Sequence, residues 1–228
     1  MSVKEFAKRI DVDFKNINLL KEALTHRSYL NEHKENNLNQ NERLEFLGDA
    51  VLELVVTDYL FSNYDNPEGE LTSWRAALVN GDMLAKVSKK IGVEKYLLMS
   101  KGESKDKGRA RRYLLANALE AIIGAIYLDK GYESADKFIK KNIIINIDEV
   151  LKEKLYLDAK SYFQEKSQEH EKITPSYKVT KEEGPDHDRV FTVGVFIGDE
   201  LVAEGKGPSK QDAQREAASE ALKKKGWI

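Results

Sequence analysis

Cysteine is absent from the 228-residue chain, which excludes disulfides and thiolate-bound metal sites. Such a chain fits a reducing compartment, so the cytoplasm is the expected location. No apolar run approaches the roughly 18 residues that a membrane span needs. The start, MSVKEFAKRI, contains no apolar stretch of signal-peptide length. No membrane partner is therefore expected. A large excess of either charge is also missing: the net charge is −2. Any nucleic-acid partner would have to be held by local patches rather than by overall charge. The four histidines are scattered, with no H-E-x-x-H pattern. No Ser/His/Asp or Cys/His arrangement offers a nucleophile. Internal repeats and low-complexity tracts are lacking too.

What remains is a balanced composition, 33% charged and 41% hydrophobic, long enough for one or two hydrophobic cores. From about Asn16 to about Leu155 the apolar spacing is helical. INLLKEALTHRSYL reads as one amphipathic helix, and NERLEFLGDAVLELVVTDYLFSNY as a longer one. Pro67 and Gly69 interrupt the pattern before LTSWRAALV. Asn80 is an expected N-cap for GDMLAKVSKKI, with Gly92 as its stop. KGESKDKGRARR reads as a basic loop, YLLANALEAIIGAIYLDK as a buried helix ending at Gly131, and residues 132–155 as the last helices. After a short junction without a Gly/Ser-rich spacer, the period changes. AKSYFQEKSQEH is helical, then PSYKVTKEEG, RVFTVGVFIGD and ELVAEGKGPS alternate as strands, and SKQDAQREAASEALKKKGW is an amphipathic helix. The expectation is an all-α domain, 1–155, followed by a small α+β domain of order α-β-β-β-α, 158–228.

Within NERLEFLGDAVLEL, Glu42, Glu45 and Asp49 share one helix face, because residues three, four and seven apart lie nearly above one another. Neighbouring carboxylates repel. Arg43 is adjacent in sequence but on a different face, so a divalent cation is the economical counter-charge. A second oxygen-bearing pair, Asn117 and Glu120, lies three apart in another apolar helix. Two such helices could build one site for Mg²⁺, which prefers hard oxygen ligands. The competing reading is that both are ordinary solvated helix faces.

These residues carry a resemblance. NERLEFLGDAVL is similar to the signature of the ribonuclease III family, and the similarity runs on through LTHRSY, PEGELTSWRAALVN, KGESKDKGRARR and LEAIIGAIYLDKG. It continues into a C-terminal double-stranded-RNA-binding domain. The resemblance implies an all-α endonuclease domain, a homodimer, and Mg²⁺-dependent cleavage of double-stranded RNA, with Mn²⁺ as a substitute. The products would carry 5′-phosphate and 3′-hydroxyl ends, and the role would be in rRNA and mRNA precursor processing. By position it implies Asp49 and Glu120 as catalytic residues, with Glu45, Asp49, Asn117 and Glu120 as metal ligands. Glu42 and Glu68 match supporting acidic residues. Asn117 departs from the Asp of many members; its amide oxygen can still ligate, but without negative charge. A duplex-binding protein that no longer cuts is the alternative this substitution raises. Phe46, Leu47 and the VLELVV run are candidates for a dimer interface. His26 reads as a packing or hydrogen-bonding residue.

Duplex RNA is gripped by shape, through 2′-hydroxyls and phosphates. On the first C-terminal helix Ser161, Gln164, Glu165 and Gln168 share roughly one face. His187 lies in the loop GPDHDR. At the last helix start Lys210, Gln211 and Gln214 face outward if Ala213, Ala217 and Ala218 pack inward, and Ser209 with Asp212 fits a capping box. Residues 158–228 carry 12 Lys/Arg against 14 Asp/Glu. Glutamines 211 and 214 stand where related domains are often lysine-rich. Weaker duplex binding than for a lysine-rich relative is expected. The KGESKDKGRARR loop is either a phosphate grip or a solvated loop. Lys223 to Lys225 read as a solvated helix end.

Overall fold

A computed structural model describes residues 2–33, 38–105, 108–185 and 189–228. The chain forms two compact units, 1–156 and 157–228.

The first unit is helical: α1 (Val3–Arg9), α2 (Ile17–Ala23), α3 (Arg27–Glu32), α4 (Glu42–Asn63), α5 (Glu68–Val79), α6 (Gly81–Ile91), α7 (Arg109–Lys130), α8 (Tyr132–Asn142) and α9 (Ile147–Lys152). Asn80 caps α6 by accepting from the Met83 N–H at 2.9 Å, and Gly92 ends it at φ 84°. Gly131, at φ 80°, follows the end of α7. Val51, Leu52, Val55 and Val56 of α4 pack against Leu115, Leu119, Ile122, Ile123 and Ile126 of α7 in one apolar core. Each fully buried side chain of this kind contributes about 1.5–3 kcal/mol.

Several expectations need correction. INLLKEALTHRSYL is two helices. The chain breaks at Thr25, whose neighbours Leu24 and His26 bond to Leu98 from either side, at 2.8 and 2.9 Å. This tertiary bridge overrides a helical period. α1 lies in a segment with no expected helix, although Ser2 and Glu5 form a reciprocal capping box. α5 begins at Glu68, ahead of Gly69, because Pro67 suits a helix entry. Of the VLELVV run, Val51, Leu52, Val55 and Val56 belong to the core, while Leu54 is exposed. Arg111 and Arg112 sit in the first turn of α7 rather than in a loop. They pair with Glu94 at 3.0 Å and Asp82 at 2.7 Å.

The second unit runs α10 (Ala159–Glu171), β1 (Ser176–Glu183), β2 (Val190–Ile197), β3 (Glu200–Gly207) and α11 (Lys210–Lys224). The strands form an antiparallel sheet of order β1-β2-β3. Val195, Ile197 and Val202 cover Phe163 of α10 and Ala217, Ala218, Ala221 and Leu222 of α11. Both helices lie on one face of the sheet, which leaves their outer sides to solvent. Lys223 and Lys224 are exposed, as a solvated helix end would be, and Lys225 is half-buried. They bond to Glu220, the Val202 carbonyl and Glu171, at 2.8, 2.9 and 2.7 Å. Among the described residues no helix is long and apolar enough to cross a membrane.

Candidate active site and nucleic-acid interface

Glycine in a helix interior costs about 1 kcal/mol relative to alanine, so its presence wants a reason. In α4 and α7 the reason is contact between backbones. A Cβ on Gly48 would lie 1.7 Å from the Glu120 carbonyl oxygen, and one on Gly124 would lie 2.2 Å from that of Leu44. The two helices therefore cross at near-minimum separation. Side chains next to the crossing are forced together: Glu45 and Asp49 from α4, Asn117 and Glu120 from α7.

Electrostatics record that proximity. Burial, with Asp49 and Glu45 adding their charge, pushes the Glu120 carboxyl up to about 8. Glu45 is also raised, first by burial and then by Glu42 and Asp49, while a hydrogen bond from Asn117 opposes the shift. Asn117 thus donates its amide N–H to the Glu45 carboxylate. Asp49 is exposed, and Glu45, Asn117 and Glu120 are half-buried.

Glu42 stands at the rim. It accepts from Gln40 Nε2 at 3.1 Å and faces Arg27 Nη1 at 3.6 Å. Glu68 lies apart at the exposed start of α5 and accepts from Thr72 Oγ1 at 2.9 Å. It exerts none of the resolved effects on Glu45 or Glu120. The structure brings Glu45, Asp49, Asn117 and Glu120 together with Glu42 beside them, and leaves Glu68 outside. His26 caps α3, its Nδ1 accepting from the Ser28 N–H at 3.3 Å.

In the second unit Ser161, Gln164, Glu165 and Gln168 are all exposed on α10. Asp158 caps that helix, accepting from the Ser161 N–H at 2.9 Å. Ser209 caps α11, accepting from the Asp212 N–H at 3.1 Å, and its hydroxyl donates to the Asp212 carboxylate. Ala213, Ala217 and Ala218 are buried, so Lys210 and Gln211 point outward. Gln214 is different. Its Oε1 accepts from Lys160 Nζ at 2.7 Å. Lys210 lies 3.7 Å from Glu182. His187 falls outside the described residues.

Sequence reading missed Gly48 and Gly124, whose signal was glycine inside two strongly apolar helices. It also missed the Arg27–Glu42 pair and Lys160, which depend on tertiary placement.

A helical domain with an acidic cluster at its central crossing, joined to an α-β-β-β-α domain with a polar helix face, is the layout of a two-domain nuclease. Residues 16–147 match the family described as ribonuclease-III-like, and residues 159–225 match the double-stranded RNA binding motif. The ribonuclease 3 of Borreliella burgdorferi is 43% identical over 222 residues, 97% of this chain and 90% of that protein. The ribonuclease 3 of Clostridium perfringens is 46% identical over 225 residues, covering 98% and 94%. A solved nuclease domain of ribonuclease III from Campylobacter jejuni, described as flexible in a region involved in its dimer formation, is 42% identical. It has a TM-score of 0.55 and covers 62% of this chain and 98% of that one. The chain belongs to the ribonuclease III family: it is a ribonuclease III endonuclease carrying a double-stranded-RNA-binding domain.

Members of this family use a divalent metal. The residues present fit one, since each can offer oxygen, and burial together with neighbouring carboxylates raises both Glu120 and Glu45 above the usual carboxylate range, a strain that a cation would relieve. Among the described residues no three acidic or histidine side chains already converge as a finished ligand cage. Mutually repelling carboxylates favour such an open arrangement.

Proposed function

We propose that this protein is a Mg²⁺-dependent endoribonuclease, with Mn²⁺ as a substitute. It hydrolyses phosphodiester bonds in double-stranded RNA to 5′-phosphate and 3′-hydroxyl ends. Residues 1–155 form its endonuclease domain and 158–228 its duplex-binding domain. The substrates are rRNA and mRNA precursors in the cytoplasm. The observation that carries this reading is the meeting of Glu45 and Asp49 with Asn117 and Glu120 at the glycine crossing, in a chain that also bears a duplex-RNA-binding fold.

Glu45, Asp49, Asn117 and Glu120 would hold the ion. When bound it supplies a water made nucleophilic at neutral pH and stabilises charge on the phosphate. Asp49 and Glu120 are the catalytic residues, orienting the reacting groups. Without the ion, the Glu120 carboxyl keeps its proton up to about pH 8. Asn117 offers its amide oxygen as ligand while its N–H steers Glu45. Glu42 adds negative charge beside the cluster, and Glu68 is a supporting acidic residue that stands apart from it at the start of α5.

Recognition is by shape. Ser161, Gln164 and Gln168 reach 2′-hydroxyls across a minor groove, His187 probes the next one, and Lys210 and Gln211 face phosphates at the start of α11, where Gln214 belongs to the same surface through its bond to Lys160. The active form is a homodimer. Its support is an exposed apolar ridge on α4, with Phe46 82%, Leu54 57% and Phe61 78% exposed.

The test is cleavage of a labelled RNA duplex by this protein, Asp49→Asn and Asn117→Asp across a Mg²⁺ titration. The protein should cut, Asp49→Asn should bind without cutting, and Asn117→Asp should need less Mg²⁺. Cutting by Asp49→Asn would sink the metal-centred scheme. Cutting by Asn117→Asp alone would make this chain a duplex-binding form.

A further inference from the structure

We propose that Lys160 is a phosphate-binding residue of the duplex interface, positioned by Gln214, and that it adds a positive charge beside the start of α11, where glutamines stand at 211 and 214. This rests on the duplex-binding reading above. Three observations lead to it. First, Lys160, Gln164 and Gln168 are spaced four apart on α10, so Lys160 belongs to the same row as the exposed glutamines that face the groove. Second, Lys160 Nζ reaches α11 and donates to Gln214 Oε1 at 2.7 Å, which places an ammonium where the first helix meets the last. Third, the partner is a neutral amide. Lys210, the lysine at the α11 N-terminus itself, lies 3.7 Å from Glu182, and Lys166, Lys223 and Lys225 all sit on carboxylates. Each of those cations already has a carboxylate partner to give up, whereas the hydrogen-bond partner of Lys160 is an uncharged amide.

An ammonium has three N–H donors. Gln214 takes one, and the others can serve phosphate oxygens. The ammonium has a second contact as well, because Nζ stands 5.1 Å from the centre of the Tyr177 ring on β1. A lysine whose head is held by two contacts loses less further entropy on binding than a free one. Glutamine at 214 is then no mere loss of a lysine. A lysine there would repel Lys160, whereas the amide orients it.

The experiment measures binding of the full chain to a labelled blunt RNA duplex of about 20 base pairs, in chelator so that nothing is cut, over a range of salt. Lys160→Met keeps an unbranched apolar side chain and removes the charge. It should bind about fivefold or more weakly at low salt, with the log–log salt slope reduced by about one. Its melting temperature should stay near that of the parent. Lys160→Arg should restore the slope. Gln214→Ala should weaken binding less, and should add nothing to Lys160→Met. Lys223→Met, at the far end of α11, should leave the slope unchanged. An unchanged slope in Lys160→Met, or independent additive losses from the 160 and 214 changes, would overturn the proposal. Failure of the parent chain to bind duplex would instead sink the reading beneath it.

Discussion

Gly48 of α4 touches the backbone of Glu120 in α7, so closely that a Cβ at 48 would stand 1.7 Å from that residue's carbonyl oxygen. The neighbour is rigid helix backbone, not a side chain that could swing away. Gly48→Ala must therefore push the helices apart at the point where the carboxylates meet. Overpacking typically costs 1–3 kcal/mol, and a backbone clash belongs at about the upper end. The expected result is a melting temperature lowered by several degrees and cleavage lost beyond what the unfolded fraction explains. Parent-like melting and turnover in Gly48→Ala would show that the crossing is looser than described.

Glu120→Gln separates stability from chemistry. The buried carboxyl of Glu120 faces the charges of Asp49 and Glu45, so its ionised form strains the metal-free fold. The amide removes that strain. At pH 9 in chelator the variant should melt higher than the parent, by on the order of 2 kcal/mol of stability or a few degrees. It should bind duplex and fail to cut. A lower melting temperature would mean that the Glu120 side chain stabilises the fold instead of opposing it.

Strong periodicity and end signals made part of this fold readable. α6 runs between its Asn80 cap and Gly92 because local hydrogen bonds decide both ends. The carboxylate spacing on α4, and Asn117 with Glu120 on α7, was equally local. Which helix meets which, and how closely, was not. Gly48 and Gly124 report it only once the opposing backbone is known. The break at Thr25 arises from Leu98, more than 70 residues away, so no local pattern could announce it. Long reach likewise hides the Lys160–Gln214 pair, 54 residues apart. Ser2 and Glu5 did carry a local signal for α1, outweighed by a short apolar pattern.

His26 gives a pH dependence with a definite sign. Burial, the largest influence, holds its imidazole below the ordinary 6.5, with Arg27 acting the same way and Glu103 and Glu42 opposing. Its Nδ1 accepts from the Ser28 N–H, which a protonated ring could not do. Below pH 6.5 the unfolded chain takes up a proton that the folded chain refuses. This contribution is complete above pH 6.5 and is lost as pH falls from there through the depressed value. His26→Asn keeps a capping oxygen and should flatten that part of the profile. Urea midpoints of parent and variant at pH 5.5 and 7.5 measure it. Equal pH dependence in both would rule out the neutral cap.

The exposed ridge of α4 fits burial against a second copy of the chain. Phe46, Leu54 and Phe61 recur at helical spacing, while the opposite face holds Val51, Leu52, Val55 and Val56 in the core. A phenylalanine that is 82% exposed contributes nothing to the monomer's own packing. Phe46→Ala should leave monomer folding intact yet weaken self-association tenfold or more, about 1.4 kcal/mol, as expected for an aromatic anchor. Sedimentation equilibrium across protein concentration reads the shift directly. Cleavage should fall with dimer population and recover at high concentration, since the carboxylates are untouched. If Phe46→Ala associates like the parent, the ridge is not the dimer surface. If association weakens with no concentration dependence of cleavage, the active species is not a dimer.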